Sequence, residues 1–189
     1  METGKYSVIL ADPAWDYKAW NPKTSQRYVG NQYQTMTPYA INALPVGDLA
    51  ASNCALFLWA TMPTLPQAFD TMSAWGFVYK TCAFTWVKTT RAGKPSMGMG
   101  FYTRSNAELC LLGIRGTMKR KDKGVAQVIM APRREHSRKP DEVYERIMRL
   151  FDGPYLEMFA RQRWPEWSVW GNQTALFPAQ PFLFTEQSA

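Results

Sequence analysis

The stretch Tyr6-Ser7-Val8-Ile9-Leu10-Ala11-Asp12-Pro13-Ala14-Trp15 decides how the rest of the chain is read. An apolar run of this length broken by Asp-Pro is the pattern of a strand covered on both faces and ending in a turn. Aspartate before proline starts turns, because the ring pre-sets φ and the carboxylate bonds nearby backbone. Similar runs follow at Ala55 to Ala60, Val78 to Val87 with partial alternation, and Leu109 to Ile114. Val125 to Met130, Tyr155 to Ala160 and Ser168 to Trp170 are further candidate strands. Helix signals lie between them. Pro63 starts a helix with an expected apolar face of Leu65, Phe69 and Met72, closed by Gly76. Thr37-Pro38 starts a shorter one towards Leu44. After Pro140 a third carries Val143, Ile147 and Leu150 or Phe151 on one stripe, and Asp152-Gly153-Pro154 stops it. Asp141 and Glu142 stand at the positive end of its dipole. Strands alternating with helices predict a doubly wound α/β sheet, mostly parallel. Ligands of such sheets lie beyond the carboxyl ends of the strands, where Asp12 to Trp15 falls.

Composition bounds the alternatives. With 189 residues, 46% hydrophobic and 14% aromatic, the chain reads as one domain with a real core, residues 1–175, followed by a tail, 176–189. Apolar runs such as Cys54 to Ala60 fall short of the roughly 20 residues that cross a bilayer. With no signal peptide in view either, the expectation is a soluble intracellular protein without a membrane partner, as monomer or homodimer. Cys54, Cys82 and Cys110 stand 28 residues apart and His136 is the single histidine, so neither a structural zinc site nor a disulfide framework is expected. The cysteines are expected reduced and packed. A His-dependent hydrolase would have to use His136, which stands in a charged, exposed-looking segment without an evident orienting partner.

Of the formal charge of +7, the segment Arg115 to Arg149 carries +6, with 11 basic and 5 acidic residues. Its first part, Gly116 to Gly124, is a glycine-bounded loop containing Lys119, Arg120, Lys121 and Lys123. Two readings stay open: a solvated loop, or a surface that meets phosphates.

The turn Asp12 to Trp15 also has two readings. As structure, it is an Asp-Pro turn with a packing tryptophan. As chemistry, it suits methylation of a purine amine, whose lone pair is delocalised into the ring. A carboxylate and a backbone carbonyl (Pro13 or Ala14) localise that lone pair by accepting the two amine hydrogens, while Trp15 stacks on the base. A proline-stiffened turn holds the acceptors with little reorganisation.

The Asp-Pro-Ala-Trp turn resembles the Asp-Pro-Pro-Trp signature of the MT-A70-type adenine-N(6) methyltransferases, which act on messenger RNA or on phage and bacterial DNA. The resemblance continues in order through Tyr33-Gln34-Thr35-Met36, Leu56 to Thr61, Trp75-Gly76-Phe77 and Trp86-Val87-Lys88. It goes on through Ser137 to Asp141, Leu156 to Arg161, Trp167 to Trp170 and Gly171-Asn172-Gln173, covering Tyr6 to Gln173. What it implies is a Rossmann-like class I methyltransferase sheet in the permuted order, catalytic turn before cofactor strand, with S-adenosylmethionine as cofactor and no metal. It further implies that Asp12, Pro13, Ala14 and Trp15 form the catalytic loop, Asp12 also touching the cofactor, and that Tyr33 closes over the adenine. Lys139 would meet the cofactor's methionine carboxylate beside Ser137 and Arg138. Glu157, Phe159 and Arg161 would line its adenosine half, and Asn172 and Gln173 its ribose. Read without the resemblance, Lys139 is equally a surface lysine, Glu157 and Arg161 an internal ion pair, and Asn172-Gln173 a polar turn. Ala14 departs from the pattern by omitting the second proline, but the carbonyl remains and activity is expected to survive.

The polymer substrate rests on loops. Asp16 to Gln32, Thr89 to Arg104 and Gly116 to His136 are the expected reading segments, since a separate recognition domain does not fit in this length. The nucleic-acid-binding candidates are Lys88, Arg91, Lys94, Arg104, Lys119, Arg120, Lys121, Lys123, Arg133, Arg134 and His136. Basic residues beside Met97, Met99, Phe101 and Tyr102 suit phosphates and an extruded base. DNA is the favoured partner, in the cytoplasm of a bacterial or phage-infected cell and in a restriction-modification setting. RNA adenosine methylation and a non-catalytic nucleic-acid-binding role are the alternatives.

Overall fold

The computed structural model describes residues 3–16, 35–98, 100, 102–135 and 137–177. Seven strands form one sheet: β1 (Tyr6–Ala11), β2 (Ala50–Ala60), β3 (Val78–Thr89), β4 (Ala107–Arg115), β5 (Val128–Pro132), β6 (Tyr155–Met158) and β7 (Trp167–Trp170). Their order is β5-β3-β4-β2-β1-β6-β7. β1 pairs in parallel with β2 on one side and β6 on the other, β6 with β7, and β3 with β5. Only β4 is reversed, antiparallel to both β2 and β3. The mostly parallel, Rossmann-like sheet expected from the sequence is the one observed.

Alternation within the apolar runs explains why both faces are covered. Ile9 and Ala11 with Leu56 and Leu58 face one cluster, whereas Val8 and Leu10 with Phe57 and Trp59 face the other. The first face is closed by α1 (Pro38–Asn42), α2 (Val46–Leu49) and α3 (Leu65–Ala74) through Ile41, Val46, Ala68 and Met72. The second is closed by α4 (Glu142–Leu150) through Val143, Tyr144 and Ile147, joined by Trp164 and Trp167. Fully burying side chains of this size contributes roughly 1.5–3 kcal/mol each.

Local signals account for the helix ends. Thr37 caps α1 by accepting from the Ala40 amide (3.2 Å). Gly76, at φ +80°, takes the left-handed turn after α3 that a side chain resists. One helix face and several strand boundaries differ from expectation. α3 buries Ala68, Thr71 and Met72, while Phe69 is 39% exposed, edge-on to Tyr79. The stripe is rotated because Met72 packs onto Gly113 of β4, where an added Cβ would stand 2.7 Å from its sulfur. β5 begins at Val128 rather than Val125 and ends on Pro132, tolerated because β5 is an edge strand. β2 starts earlier, at Ala50. The three cysteines are free; Cys54 and Cys110 are buried and Cys82 is half-buried. Among the described residues no helix is long and apolar enough to cross a membrane.

Candidate functional site

The chain leaves β1 towards β2 on one side and returns as β6 on the other, so a crevice opens beyond the carboxyl ends of β1 and β6. A cleft open to solvent lies there, lined by Asp12, Ser137, Arg138, Lys139, Glu157, Phe159 and Arg161, together with Leu10, Trp59, Val143, Tyr144, Gln162 and Phe177. Thus Asp12 and the six expected cofactor residues from Ser137 to Arg161 share one cleft. Asn172 and Gln173 are exposed and do not line it, although Gln173 Oε1 accepts from Arg161 Nε (3.1 Å). Tyr33 and His136 lie outside the described residues, as do Met99, Phe101 and positions 17–34 and 178–189.

Asp12 sits on the turn after β1. Its Oδ2 accepts from Lys139 Nζ at 2.5 Å, and Lys139 also lies 3.3 Å from Glu108 Oε2 on β4. Glu108 Oε1 in turn pairs with Lys88 Nζ on β3 at 2.5 Å. Lys139 stands 5.5 Å from the ring centre of Trp59. Burial raises the Asp12 pKa, with the Lys139 charge opposing that rise. Burial also pushes on Glu108, but its two lysines outweigh it and hold the carboxyl below its ordinary value. Glu108 is not singled out by the sequence; its only trace is an acidic residue immediately before the apolar run Leu109 to Ile114. Lys88, expected to bind nucleic acid, is placed by the structure as the counter-ion of Glu108.

The rest of the turn is pinned by backbone. Pro13 O accepts from Trp15 N (2.8 Å) and Ala14 O from Met36 N (2.9 Å), each carbonyl keeping a second lone pair. Trp15 is 5% exposed and donates its indole N–H to Trp59 O at 2.9 Å. It fastens the turn to β2 within the core and does not line the cleft, which corrects the expectation that it stacks on the base. The aromatic faces at the cleft are Trp59, Phe159 and Phe177, with Tyr144 behind them.

On the β6 side, Glu157 is buried at 9% exposure. Its Oε1 accepts from Tyr144 OH (2.9 Å), while Oε2 has no hydrogen-bond partner among the described residues. Burial first, then the nearby Asp12 charge, raises its pKa to about 8, against the lowering effect of the Tyr144 hydrogen bond. Gln162 Nε2 reaches Asp141 Oδ1 (3.1 Å) and Tyr144 OH (3.4 Å), and Arg134 grips Asp141 with two bonds of 2.7 Å. Arg134 therefore braces the start of α4 rather than standing as a free cation. Ser137 and Phe159 hold φ of 64° and 62°, left-handed conformations costly for residues with a Cβ, and both line the cleft. Gly171 packs against the Phe159–Ala160 turn so closely that an added Cβ would stand 2.8 Å from Ala160 N. Phe177 lies between Arg138 and Arg161, its ring centre 4.8 Å and 5.4 Å from their guanidinium carbons.

The remaining basic candidates fall into two groups. Arg91, Lys94 and Arg104 are exposed on the connection from β3 to β4, and Arg133 follows β5; both loops lie at the carboxyl ends of parallel strands, the end of the sheet that carries the cleft. Lys119, Arg120, Lys121 and Lys123 follow β4, the reversed strand, so they lie at the opposite end of the sheet. There Lys121 pairs with Asp152 (2.5 Å) and its amide donates to Leu150 O (2.9 Å). The expectation that this run flanks the site is overturned by strand direction.

A doubly wound sheet with a mixed-charge cleft at its switch point defines a Rossmann-like fold built for a nucleotide-type cofactor. The MT-A70 family profile matches residues 6–173, and the chain belongs to that family. It is 31% identical over 185 residues to the type II methyltransferase M.MunI of Mycoplasma sp, covering 88% of this chain and 77% of that one. It is 31% identical over 180 residues to the human N(6)-adenosine-methyltransferase catalytic subunit METTL3, covering 90% of this chain and 28% of the relative. Human METTL4, an N(6)-adenine-specific methyltransferase, is 28% identical over 199 residues, with 97% and 40% covered. The chain thus spans less than half the length of the METTL3 and METTL4 relatives. MT-A70 proteins are S-adenosylmethionine-dependent adenine-N(6) methyltransferases.

The residues present fit that cofactor. A buried carboxylate oxygen without a donor, Glu157 Oε2, is costly unless hydroxyls meet it, and a ribose diol supplies them. Lys139 offers an ammonium to a carboxylate, and Phe159 an aromatic face to a base.

Proposed function

We propose that this chain transfers a methyl group from S-adenosylmethionine to the N(6) amine of adenine in DNA. The observation that carries this reading is the meeting, in one cleft, of Asp12, Lys139 and the donor-starved carboxylate of Glu157. The cofactor, when bound, supplies an electrophilic methyl on a sulfonium. Asp12 accepts one hydrogen of the target amine and the free lone pair of the Pro13 or Ala14 carbonyl accepts the other, so the nitrogen lone pair is directed at the methyl. Trp15 keeps that turn rigid through Trp59, which limits reorganisation in the transition state. Lys139 holds the cofactor's carboxylate, with Ser137 and Arg138 beside it. Glu157 takes the ribose, Phe159 and Arg161 flank the adenine, and Gln173 with Asn172 acts through Arg161 at the rim.

Support for DNA comes from the type II relative, whose similarity runs over 77% of its length, against 28% for the adenosine-modifying METTL3 subunit. Arg91, Lys94, Arg104 and Arg133 suit phosphates beside the cleft, with Met97 (74% exposed) and Tyr102 (103%) available to an extruded base. Binding of this kind is steeply salt-dependent. RNA methylation is the second reading, favoured by identity to METTL3 equal to that shared with M.MunI. The deciding experiment offers matched adenine-containing duplex DNA, single-stranded DNA and RNA with tritiated cofactor. Label in DNA is expected. Label confined to RNA transfers the assignment to the second reading, and no label in any polymer, together with no cofactor binding, removes the enzymatic one.

A further inference from the structure

Glu108 stands outside the cleft and outside every role described so far. Its carboxylate is nevertheless 15% exposed and held between Lys88 at 2.5 Å and Lys139 at 3.3 Å. Lys139 is 12% exposed, and the oxygens around it include Asp12 Oδ2 at 2.5 Å, Glu108 Oε2 at 3.3 Å and Ser137 O at 3.4 Å. An ammonium has three N–H donors, so its capacity is met by the protein itself. A carboxylate entering the cleft therefore takes the place of one present partner. Asp12 and Ser137 line the cleft and Glu108 does not; of those two, Asp12 holds Lys139 by charge, so its bond is the one an entering anion exchanges with. Glu108 sits behind, neutralised by Lys88, and stays.

We infer that Glu108 is a positioning residue, the fixed anchor of Lys139, and that the Lys139–Asp12 bond is exchanged when a ligand carboxylate binds. This rests on the cofactor reading above. Its consequence is coupling. Cofactor binding frees the Asp12 carboxylate at the moment an acceptor for the target amine is needed. Before that, Asp12 is occupied by an ammonium and unavailable to the amine. Without Glu108, Lys139 is drawn more tightly to Asp12, and the exchange becomes harder.

The test is calorimetric binding of two ligands to the whole chain: S-adenosylhomocysteine, which carries the amino-acid carboxylate, and 5′-methylthioadenosine, which lacks it. Glu108→Gln is expected to weaken the first about tenfold, the size of one charged hydrogen bond, and leave the second within about twofold. In an Asp12→Asn background the penalty on the first ligand should shrink, because the Asp12 anion no longer competes for Lys139. Equal weakening of both ligands, or an undiminished penalty in the Asp12→Asn background, overturns the inference while leaving the cofactor reading intact. Failure of the unmodified protein to bind either ligand overturns both. Removing a buried charge strands its two lysines. Glu108→Asp, which keeps the charge one methylene short, therefore serves as second variant, with a smaller penalty expected on the carboxylate ligand alone.

Discussion

The basic residues around the cleft and those of the loop after β4 are held in different ways. At the carboxyl end, Lys88, Lys139 and Arg134 are drawn into pairs with Glu108, Asp12 and Asp141 around a cleft. One carboxyl oxygen there, Glu157 Oε2, has no hydrogen-bond partner among the described residues. At the amino end, Lys119, Arg120 and Lys123 face solvent and make no ion pair with the described residues. Charge density along the chain is higher at the second end, yet the cleft lies at the first. A cation in a pair is oriented and partly desolvated, so moving its partner has consequences; a solvated cation is screened and interchangeable.

The largest effect that would break this contrast is at the turn. Asp12→Ala is expected to lower methyl transfer by about a thousandfold, as removal of a preorganised transition-state acceptor does. Single-turnover label transfer measures it, and wild-type turnover would sink the role of Asp12. Next comes Glu157→Gln, expected to weaken S-adenosylhomocysteine binding at least about tenfold, because an amide meets the ribose diol with poorer acceptors. Its pH signature has a definite sign. Hydroxyl donors favour the ionised carboxyl, so wild-type affinity should rise with pH up to about 8 and level off above it. Titration calorimetry on Glu157→Gln should lack that rise.

A sharper version compares the two basic groups. Changing Arg91, Lys94 and Arg104 together to serine should weaken nucleic-acid binding and flatten its salt slope by about one for each phosphate no longer met. The same change at Lys119, Arg120 and Lys123 should leave the slope nearly unaltered. Equal slopes from the two triple variants, read by fluorescence anisotropy across a salt series, would erase the distinction between the ends.

Stability supplies a smaller effect. The Glu157 carboxyl titrates near 8 in the folded protein against an ordinary 4.5. Its stabilising contribution is therefore complete below pH 4.5 and lost as pH rises through about 8. Glu157→Gln should accordingly raise Tm at pH 9 by about 3 °C, the shift expected for roughly 1 kcal/mol in a chain of this size, and not at pH 4. Smallest of all, Ala14→Pro should change turnover less than about threefold. The Ala14 amide donates to no backbone carbonyl among the described residues, and its carbonyl already bonds Met36, so the added ring removes nothing.

The strands were legible because covered parallel strands are written as unbroken apolar runs, and β1 matched from Tyr6 to Ala11. α4 was legible because its stripe and stop signals agree. Phe69 was misread because helical spacing alone does not say which of two adjacent stripes faces a sheet, and Gly113 made the choice. Among site residues, those on β1, β6 and the loop before α4 were found through the ordered motifs, and they do meet in one cleft. Glu108, Tyr144, Gln162 and Phe177 were not, since each looks ordinary in its own segment and gains meaning only from what lies across the sheet.

What the sequence alone determined is the set of strands and the turn after β1, because local burial patterns and Asp-Pro stiffness act within a few residues. The tertiary structure decided which charges matter. A single reversed strand, β4, carries Glu108 to the back of the turn after β1 and carries Lys119 to Lys123 away from it. That outcome depends on strand direction and on the pairing of segments as far apart as Cys54 and Arg115, which no local pattern encodes.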